Sequence, residues 1–329
     1  MIGNFPSTRM RRNRINHTTR RLFSENKLSV DDLIWPIFIV EGNNIETEVS
    51  SMPGTKRVSI DRLGAYVEPA ARLGVPAVAL FPVTAKEKRD PTGSESYNPD
   101  NLICRAAREL KNQFPDLLLI GDVALDPYTS HGHDGIVKDG YVINDETVEV
   151  LVKQSINQAL AGIDIIAPSD MMDGRIGTIR QALDQYGFIN TQLMSYAAKY
   201  ASVYYGPFRD ALESGGLLKG DKKTYQMDPA NRAEALSEVE MDIKEGADSI
   251  IIKPGMPYLD IIRSVRDKFD IPIVSYQVSG EYAMLMGAIQ SGFLKHEETI
   301  LETLLCFKRA GANAIMTYFA IEAAKILQN

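Results

Sequence analysis

The chain has 329 residues and a mass of 36.5 kDa, enough for one large α/β barrel or for two ordinary domains. With 44% hydrophobic and 24% charged residues it reads as a folded globular protein, and its longest apolar runs, at 33–40 and 77–82, are far shorter than the roughly 20 residues of a membrane helix, which excludes a transmembrane span. The net charge of −7 is unevenly spread: residues 1–30 hold seven Arg or Lys against Glu25 alone, so the remaining chain carries −13.

That basic segment has neither the aromatic interleaving nor the zinc spacing of a nucleic-acid binder, and no apolar stretch of a secretory signal. Nucleic-acid binding and export are therefore not expected. An arm over 1–30 that docks on the acidic body of a sister subunit fits the charge asymmetry, with 31–329 forming one catalytic domain. The two cysteines, Cys104 and Cys306, lie in apolar helical patterns and give no disulfide framework, so a reducing, cytoplasmic setting is expected.

From residue 33 onward, β-branched and aliphatic runs alternate with amphipathic stretches. Strands are expected at 33–40, 77–82, 117–125, 163–169, 196–203, 249–253, 271–276 and 314–318. Helices are expected at 61–73, 97–112, 146–161, 174–186, 229–245, 257–269, 281–291 and 297–310, with a last one at 319–327. Asp228-Pro229 opens one of them and Asn144 is placed to cap another, while Gly162, Gly246 and Gly311 stand where helices end before strands. Eight strands in alternation with helices, uncut by any linker, predict a TIM (β/α)8 barrel; a doubly wound sheet is the alternative.

In a barrel the carboxyl ends of the strands form one rim, so polar residues there converge from distant parts of the chain. Asp122, Asp126, Ser169, Asp170, Lys199, Lys253, Tyr276, Ser279 and Tyr318 all fall at or near such ends. Lys253 closes the apolar run Ser249-Ile-Ile-Ile-Lys253, and Lys199 lies in Ser195-Tyr-Ala-Ala-Lys199, neither with an adjacent carboxylate. A poorly solvated amine, or one near another cation, loses proton affinity and can attack a carbonyl as the free base to give a Schiff base. One such lysine suggests an aldolase. Two on neighbouring strands suggest either two carbonyl substrates held covalently or one lysine tuning the other.

The loop after the third strand gathers Asp122, Asp126, His131, His133 and Asp134 around glycines. Its oxygen-rich spacing favours a hard cation such as Mg²⁺, whereas zinc here would rely on His131, His133 and carboxylate without thiolates. After the fifth strand, residues 204–220 are rich in glycine and carry Arg209, with Lys222, Lys223 and Gln226 close behind. This stretch reads as a lid whose cations capture a substrate carboxylate on closing.

At these positions the sequence strongly resembles the porphobilinogen synthase (5-aminolevulinate dehydratase) family of tetrapyrrole biosynthesis. The matching segments include Ser51-Met-Pro-Gly54, the loop 122–135, Pro168-Ser-Asp-Met-Met-Asp-Gly-Arg-Ile176, the two lysine segments, Tyr205-Gly-Pro-Phe-Arg-Asp210, Tyr225-Gln-Met-Asp-Pro229 and Ser279-Gly-Glu-Tyr-Ala-Met284. They run in order across nearly the whole chain. The resemblance implies a lyase that condenses two molecules of 5-aminolevulinate into porphobilinogen with loss of two waters. It implies imines at Lys253 for the first substrate and at Lys199 for the second. Ser279 and Tyr318 would grip the first carboxylate, and Arg209, Lys222 and Gln226 the second. Asp122 would orient the reacting amine, with Ser169, Tyr205 and Tyr276 as pocket neighbours.

Two departures from the family pattern stand out. Zinc-dependent members carry three cysteines where this chain has Ala124, Asp126 and Asp134, so no tight zinc–thiolate site can form and the chain resembles the aspartate-rich subgroup. An ion, divalent or monovalent, on Asp126 and Asp134 is the expectation there. Lys222 stands where many relatives have arginine, which supplies charge without the bidentate fork. The resemblance further implies an allosteric Mg²⁺ at Glu238, near a neighbouring subunit's arm with Arg11 as the closest arginine, and homo-oligomers, commonly octamers of arm-exchanging dimers. A single-substrate Schiff-base aldolase is the competing function.

Overall fold

A computed structural model describes residues 3–213, 216–218 and 220–328. Eight parallel strands form its centre: β1 Leu33–Val40, β2 Ala77–Val83, β3 Leu118–Val123, β4 Ile165–Pro168, β5 Gln192–Lys199, β6 Ser249–Lys253, β7 Ile273–Gln277 and β8 Ala314–Thr317. Each pairs with the next, and β8 returns to β1 through Leu33↔Ile315 and Ile34↔Met316, so the sheet closes on itself. Closure leaves no exposed edge on this ring and makes the fold a TIM barrel, not a doubly wound sheet.

A short arm helix, α1 His17–Leu22, precedes the barrel. The other helices are α2 Ile60–Arg72, α3 Leu102–Gln113, α4 Asp145–Leu160, α5 Arg175–Gln185, α6 Gly206–Ala211, α7 Ala233–Glu245, α8 Leu259–Lys268, α9 Ser279–Gln290, α10 His296–Ala310 and α11 Ala320–Gln328. Among the described residues, no helix is long and apolar enough to cross a membrane.

Several boundaries differ from expectation for identifiable reasons. The fifth strand covers 192–199 rather than 196–203. Beyond Lys199 the chain leaves the barrel wall: Tyr200 N donates to Lys253 O (3.0 Å) and Ala201 N to Met227 O (2.8 Å), so the apolar run 200–203 starts the lid instead. Helix α7 begins at Ala233, not at 229, because Asp228 first makes a turn, accepting Ala230 N on its side chain (2.8 Å) and Asn231 N on its carbonyl (3.0 Å). The third helix starts at Leu102 and is capped by Asn101, whose side chain accepts Cys104 N at 2.9 Å. Asn144 does not cap with its side chain. It exchanges two hydrogen bonds with the Asp173 backbone (2.8 and 3.1 Å), tying the third βα loop to the fourth. Gly246 and Gly311 end α7 and α10 with φ of 104° and 114°, as their positions in the sequence led us to expect.

Aromatic rings fill the carboxyl-terminal half of the barrel. Phe38 stacks on Tyr318 (5.9 Å between centroids) and Phe81 on Tyr276 (6.4 Å), with Tyr196 buried beside them. Each such ring contributes about 1.5–3 kcal/mol on burial and leaves a rigid, poorly solvated floor beneath the rim. The arm is the opposite case. Neither the turn Met10–Arg14 nor α1 has a buried residue, and Phe5, Ile15 and Leu22 are each over 70% exposed.

Candidate active site

Lys199 and Lys253 end their strands as direct register partners. Both are nearly inaccessible, at 5% and 6% exposure, and both line one cavity at the barrel mouth. Their surroundings differ. The Lys253 ammonium position lies 4.8–5.3 Å from the ring centroids of Tyr276, Tyr196, Phe208 and Tyr205, and it makes no hydrogen bond or ion pair among the described residues. Burial, reinforced by the positive charge of Lys199, pushes the Lys253 amine down to about 7; the nearby aspartates, Asp122 foremost, oppose this. An appreciable fraction is then the nucleophilic free base at neutral pH.

Lys199 instead donates to the Ser169 carbonyl and to Asp134 Oδ1 (3.1 Å). Asp134 is wholly buried and shared: its Oδ2 takes Lys222 at 2.6 Å and the Tyr225 hydroxyl at 2.8 Å. Burial disfavours its charge, but the two lysines overcome that and hold the carboxyl far below the usual range. Lys222 also reaches Asp126 at 3.1 Å.

Asp122 responds in the other direction. Burial, with a contribution from Asp126, raises its carboxyl to about 7 against the pull of Lys253 and Lys199 and a contact with Ser169. One of its buried oxygens has no hydrogen-bond partner among the described residues. A carboxyl near neutrality beside an unprotonated amine is suited to passing protons during carbonyl addition and dehydration.

The lid is pinned at both ends just past Lys199, since Met227 N donates to Lys199 O (3.0 Å) where the lid returns. It docks through Arg57, which donates to Asp210 O (2.6 Å) and Ala211 O (2.7 Å), through Ser51 to Asp210 (2.5 Å), and through Phe208 N to Ser279 Oγ (2.9 Å). Gly132, at φ +74°, lets the loop after β3 pass beneath it, because an added Cβ would lie 3.1 Å from Leu218 N. Ser214, Gly215 and Lys219 of the expected lid lie outside the described residues. The cavity that remains, about 40 Å³, has room for roughly three waters.

The predicted residues mostly converge. Asp126, Lys199, Tyr205, Arg209, Lys222, Gln226 and Lys253 line the cavity. Tyr205 donates to the carbonyls of Tyr200 (2.7 Å) and Lys253 (3.3 Å), and the Tyr276 and Tyr318 hydroxyls are 2.8 Å apart beneath the amine. Ser279 is buried at the lid's seam rather than open to the cavity. The expected ion on Asp126 and Asp134 does not fit this arrangement: Lys222 already bridges both carboxylates and Lys199 supplies a second positive charge. Among the described residues no three His, Cys, Asp or Glu side chains gather as an ion cage.

Glu238 stands apart, in a polar cavity of about 230 Å³ with Glu234, Asp173, Asn144, Tyr225 and Gln226 in its walls. Burial and the neighbouring carboxylates Asp242, Asp173 and Glu234 raise its carboxyl, while Arg175 opposes. Glu238, Glu234 and Asp173 in the wall of a polar cavity are oxygen donors of the type a hydrated hard cation takes, although they do not gather as a three-ligand cage.

Four residues escaped the sequence reading: Tyr196 and Phe208 of the aromatic cage, Tyr225 on Asp134, and Arg57 at the lid. Tyr196 alone had a usable signal, an aromatic on the same strand as Lys199 three positions upstream. The others depend on contacts between segments far apart in the chain.

Comparison with known proteins agrees with this geometry. The family model described as delta-aminolevulinic acid dehydratase matches residues 7–326. The delta-aminolevulinic acid dehydratase of Bradyrhizobium diazoefficiens is 56% identical over 97% of this chain and 91% of its own, and that of Rhodobacter capsulatus 51% over 98% and 97%. The crystal structure of delta-aminolevulinic acid dehydratase (porphobilinogen synthase) from Toxoplasma gondii ME49, in complex with the reaction product porphobilinogen, is 49% identical, with a TM-score of 0.95 over 97% of this chain and 91% of that one. With its full-length match, its closed barrel and its paired lysines, the chain belongs to the delta-aminolevulinic acid dehydratase family.

Proposed function

We propose that the barrel mouth condenses two molecules of 5-aminolevulinate into porphobilinogen, each held as an imine on its own lysine. The observation that carries this reading is the pair Lys199 and Lys253, register partners at one cavity in unlike electrostatic settings. Lys253, as free amine, adds to the ketone carbon of the first substrate; the carbonyl oxygen leaves as water and a C=N bond remains. Lys199 does the same with the second substrate after giving its proton to water, while Asp134, kept ionised by Lys199 and Lys222, remains the counter-ion. One carbon–carbon and one carbon–nitrogen bond then close the ring, both lysines are released as amines, and the net loss is two waters.

Asp122 supplies and removes protons at the first lysine. Ser279 and Tyr318 receive the first carboxylate, the Ser279 hydroxyl becoming available when the opened lid withdraws Phe208 N from it. Arg209, Lys222 and Gln226 receive the second as the lid closes, a role supported by their place around the cavity. Lys222 is held by Asp126 and Asp134 before substrate arrives, so the substrate carboxylate takes over a cation that those aspartates keep buried.

Glu238 is the residue we assign to an allosteric Mg²⁺, in the aspartate-rich, thiolate-free subgroup. Bound there, the ion would neutralise carboxylates on α7 and order the adjacent backbone. Residues 225–227 line that cavity, and Gln226 lines the active site as well, so the base of the lid is the shared wall. The exposed, basic and apolar arm supports assembly into octamers of arm-exchanging dimers, with Arg11 close to the partner's Glu238. Two unpaired cysteines fit a reducing, cytoplasmic setting.

Incubation with 5-aminolevulinate tests the reaction: pyrrole should form with consumption of two substrate molecules per product. Reversible carbon–carbon cleavage without a pyrrole would reject it in favour of an aldolase.

A further inference from the structure

Glu281 is wholly buried, and no cation accompanies it among the described residues. Its carboxylate accepts three backbone N–H groups: Val278 at 2.8 Å and Gly255 at 3.0 Å on Oε2, and Met256 at 2.5 Å on Oε1. Val278 immediately precedes α9, so that bond is the usual return of a third-position glutamate to its own helix start. Gly255 and Met256 belong to another βα loop, the one that leads from β6 into α8. A single side chain thus satisfies free N–H groups at the entrances of two helices and joins the sixth loop to the seventh.

Those two loops carry functional groups within two residues of the joint. Gly255 is two positions beyond Lys253, and Ser279 is one beyond Val278. There is little slack on the Lys253 side: a Cβ on Gly255 would meet the Phe307 ring at 2.6 Å and Tyr276 O at 2.9 Å. Burying a carboxylate without a cation is costly, and burial raises this one to about 7 despite its three donors. Capping α9 alone does not require a glutamate. In this same chain Asp32 makes the equivalent bond to Ser29 N (2.8 Å) with a side chain one methylene shorter.

We propose that Glu281 is a positioning residue that sets the Lys253 amine at a fixed separation from the Ser279 hydroxyl, so that one substrate's ketone and carboxylate are met together. This rests on the assignment of Lys253 as the first imine-forming lysine. Glu281 touches no substrate itself. Its effect is confined to molecules that carry both groups, because a ketone without a carboxylate has no use for the Ser279 end.

The test uses full-length wild-type protein, Glu281→Asp and Glu281→Gln, with timed borohydride trapping and peptide mapping. The probes are 4-oxopentanoate, which has ketone and carboxylate but no amine, and 2-pentanone, which lacks the carboxylate. The aspartate keeps the Val278 bond but falls short of Gly255 and Met256; the glutamine presents an NH₂ that cannot accept an N–H. In Glu281→Asp, trapping of 4-oxopentanoate at Lys253 should slow by about ten- to a hundred-fold, the scale of a small misplacement of reacting groups, while 2-pentanone trapping changes little. The glutamine variant should show the same ordering. Undiminished trapping of 4-oxopentanoate in either folded variant, or equal losses for both probes, would overturn the proposal. A wild-type adduct on a residue other than Lys253 would overturn the lysine assignment and this proposal with it.

Discussion

Lys253 on β6 and Lys199 on β5 are direct cross-strand partners, yet the first sits in an aromatic cage while the second is ion-paired to Asp134. The difference gives the two amines different readiness to attack. Because burial and the charge of Lys199 bring Lys253 down to about 7, imine formation there should rise with pH through that region, not near the ordinary lysine value of 10.5. In Lys199→Met the neighbouring charge is gone, so the Lys253 amine moves up and the acid limb of trapping shifts to higher pH. Rate-versus-pH profiles of borohydride trapping check this. An unmoved limb would deny the coupling.

The same shift has a cost in stability. The folded amine titrates near 7 and the unfolded one near 10.5, so between these values the unfolded chain binds a proton that the folded chain lacks. Stability should therefore rise with pH across this window, and the cost is greatest below pH 7. We expect Lys253→Met to be inactive but more stable at pH 7, by a few kcal/mol, with the gain fading as pH approaches 10.5. Denaturant melts of both proteins at pH 7 and pH 10 measure it.

At the lid, Arg209→Ala should weaken capture of the second substrate. The loss of a charge-assisted bond worth about 1.5–3 kcal/mol corresponds to a rise in KM of roughly 10- to 150-fold. Lys222→Arg should be tolerated, since arginine reaches the same carboxylates with a forked group. Steady-state kinetics over a wide substrate range separate the two. Equal substrate affinity in Arg209→Ala and wild type would reject the assignment.

Magnesium should stimulate activity and favour the larger oligomer, and Glu238→Ala should blunt both responses while leaving both imines trappable. For this coupling the ion must bind the ordered or assembled state more tightly than the other. Activity and sedimentation followed together through one magnesium titration provide the check. An unchanged response in the variant would remove Glu238 from the role.

The sequence made the barrel legible because each strand was a short apolar run bounded by helix signals, and the rim positions of Lys199, Lys253 and Asp122 followed from the strand ends. It misplaced the fifth strand because an apolar run, 200–203, continues past Lys199 although the backbone there pairs with the returning lid at Met227. The pairing of Lys222 with Asp126 and Asp134 was hidden for a different reason. Those groups are nearly 100 positions apart, and oxygen-rich spacing by itself looks the same whether the counter-charge is a metal ion or a lysine. Asn144 shows the limit of local rules: a helix-start asparagine was recognisable, but its use as a bridge to Asp173 depends on a neighbouring loop.

Covalent capture of one substrate by each of the two lysines is read out by peptide-resolved mass spectrometry after borohydride reduction during turnover of 5-aminolevulinate. Reduced adducts should appear on the peptides containing Lys253 and Lys199, with the Lys253 adduct persisting in Lys199→Ala and turnover lost in Lys253→Ala. An adduct missing from either peptide, or near wild-type turnover in Lys253→Ala, would rule out covalent capture at the paired lysines.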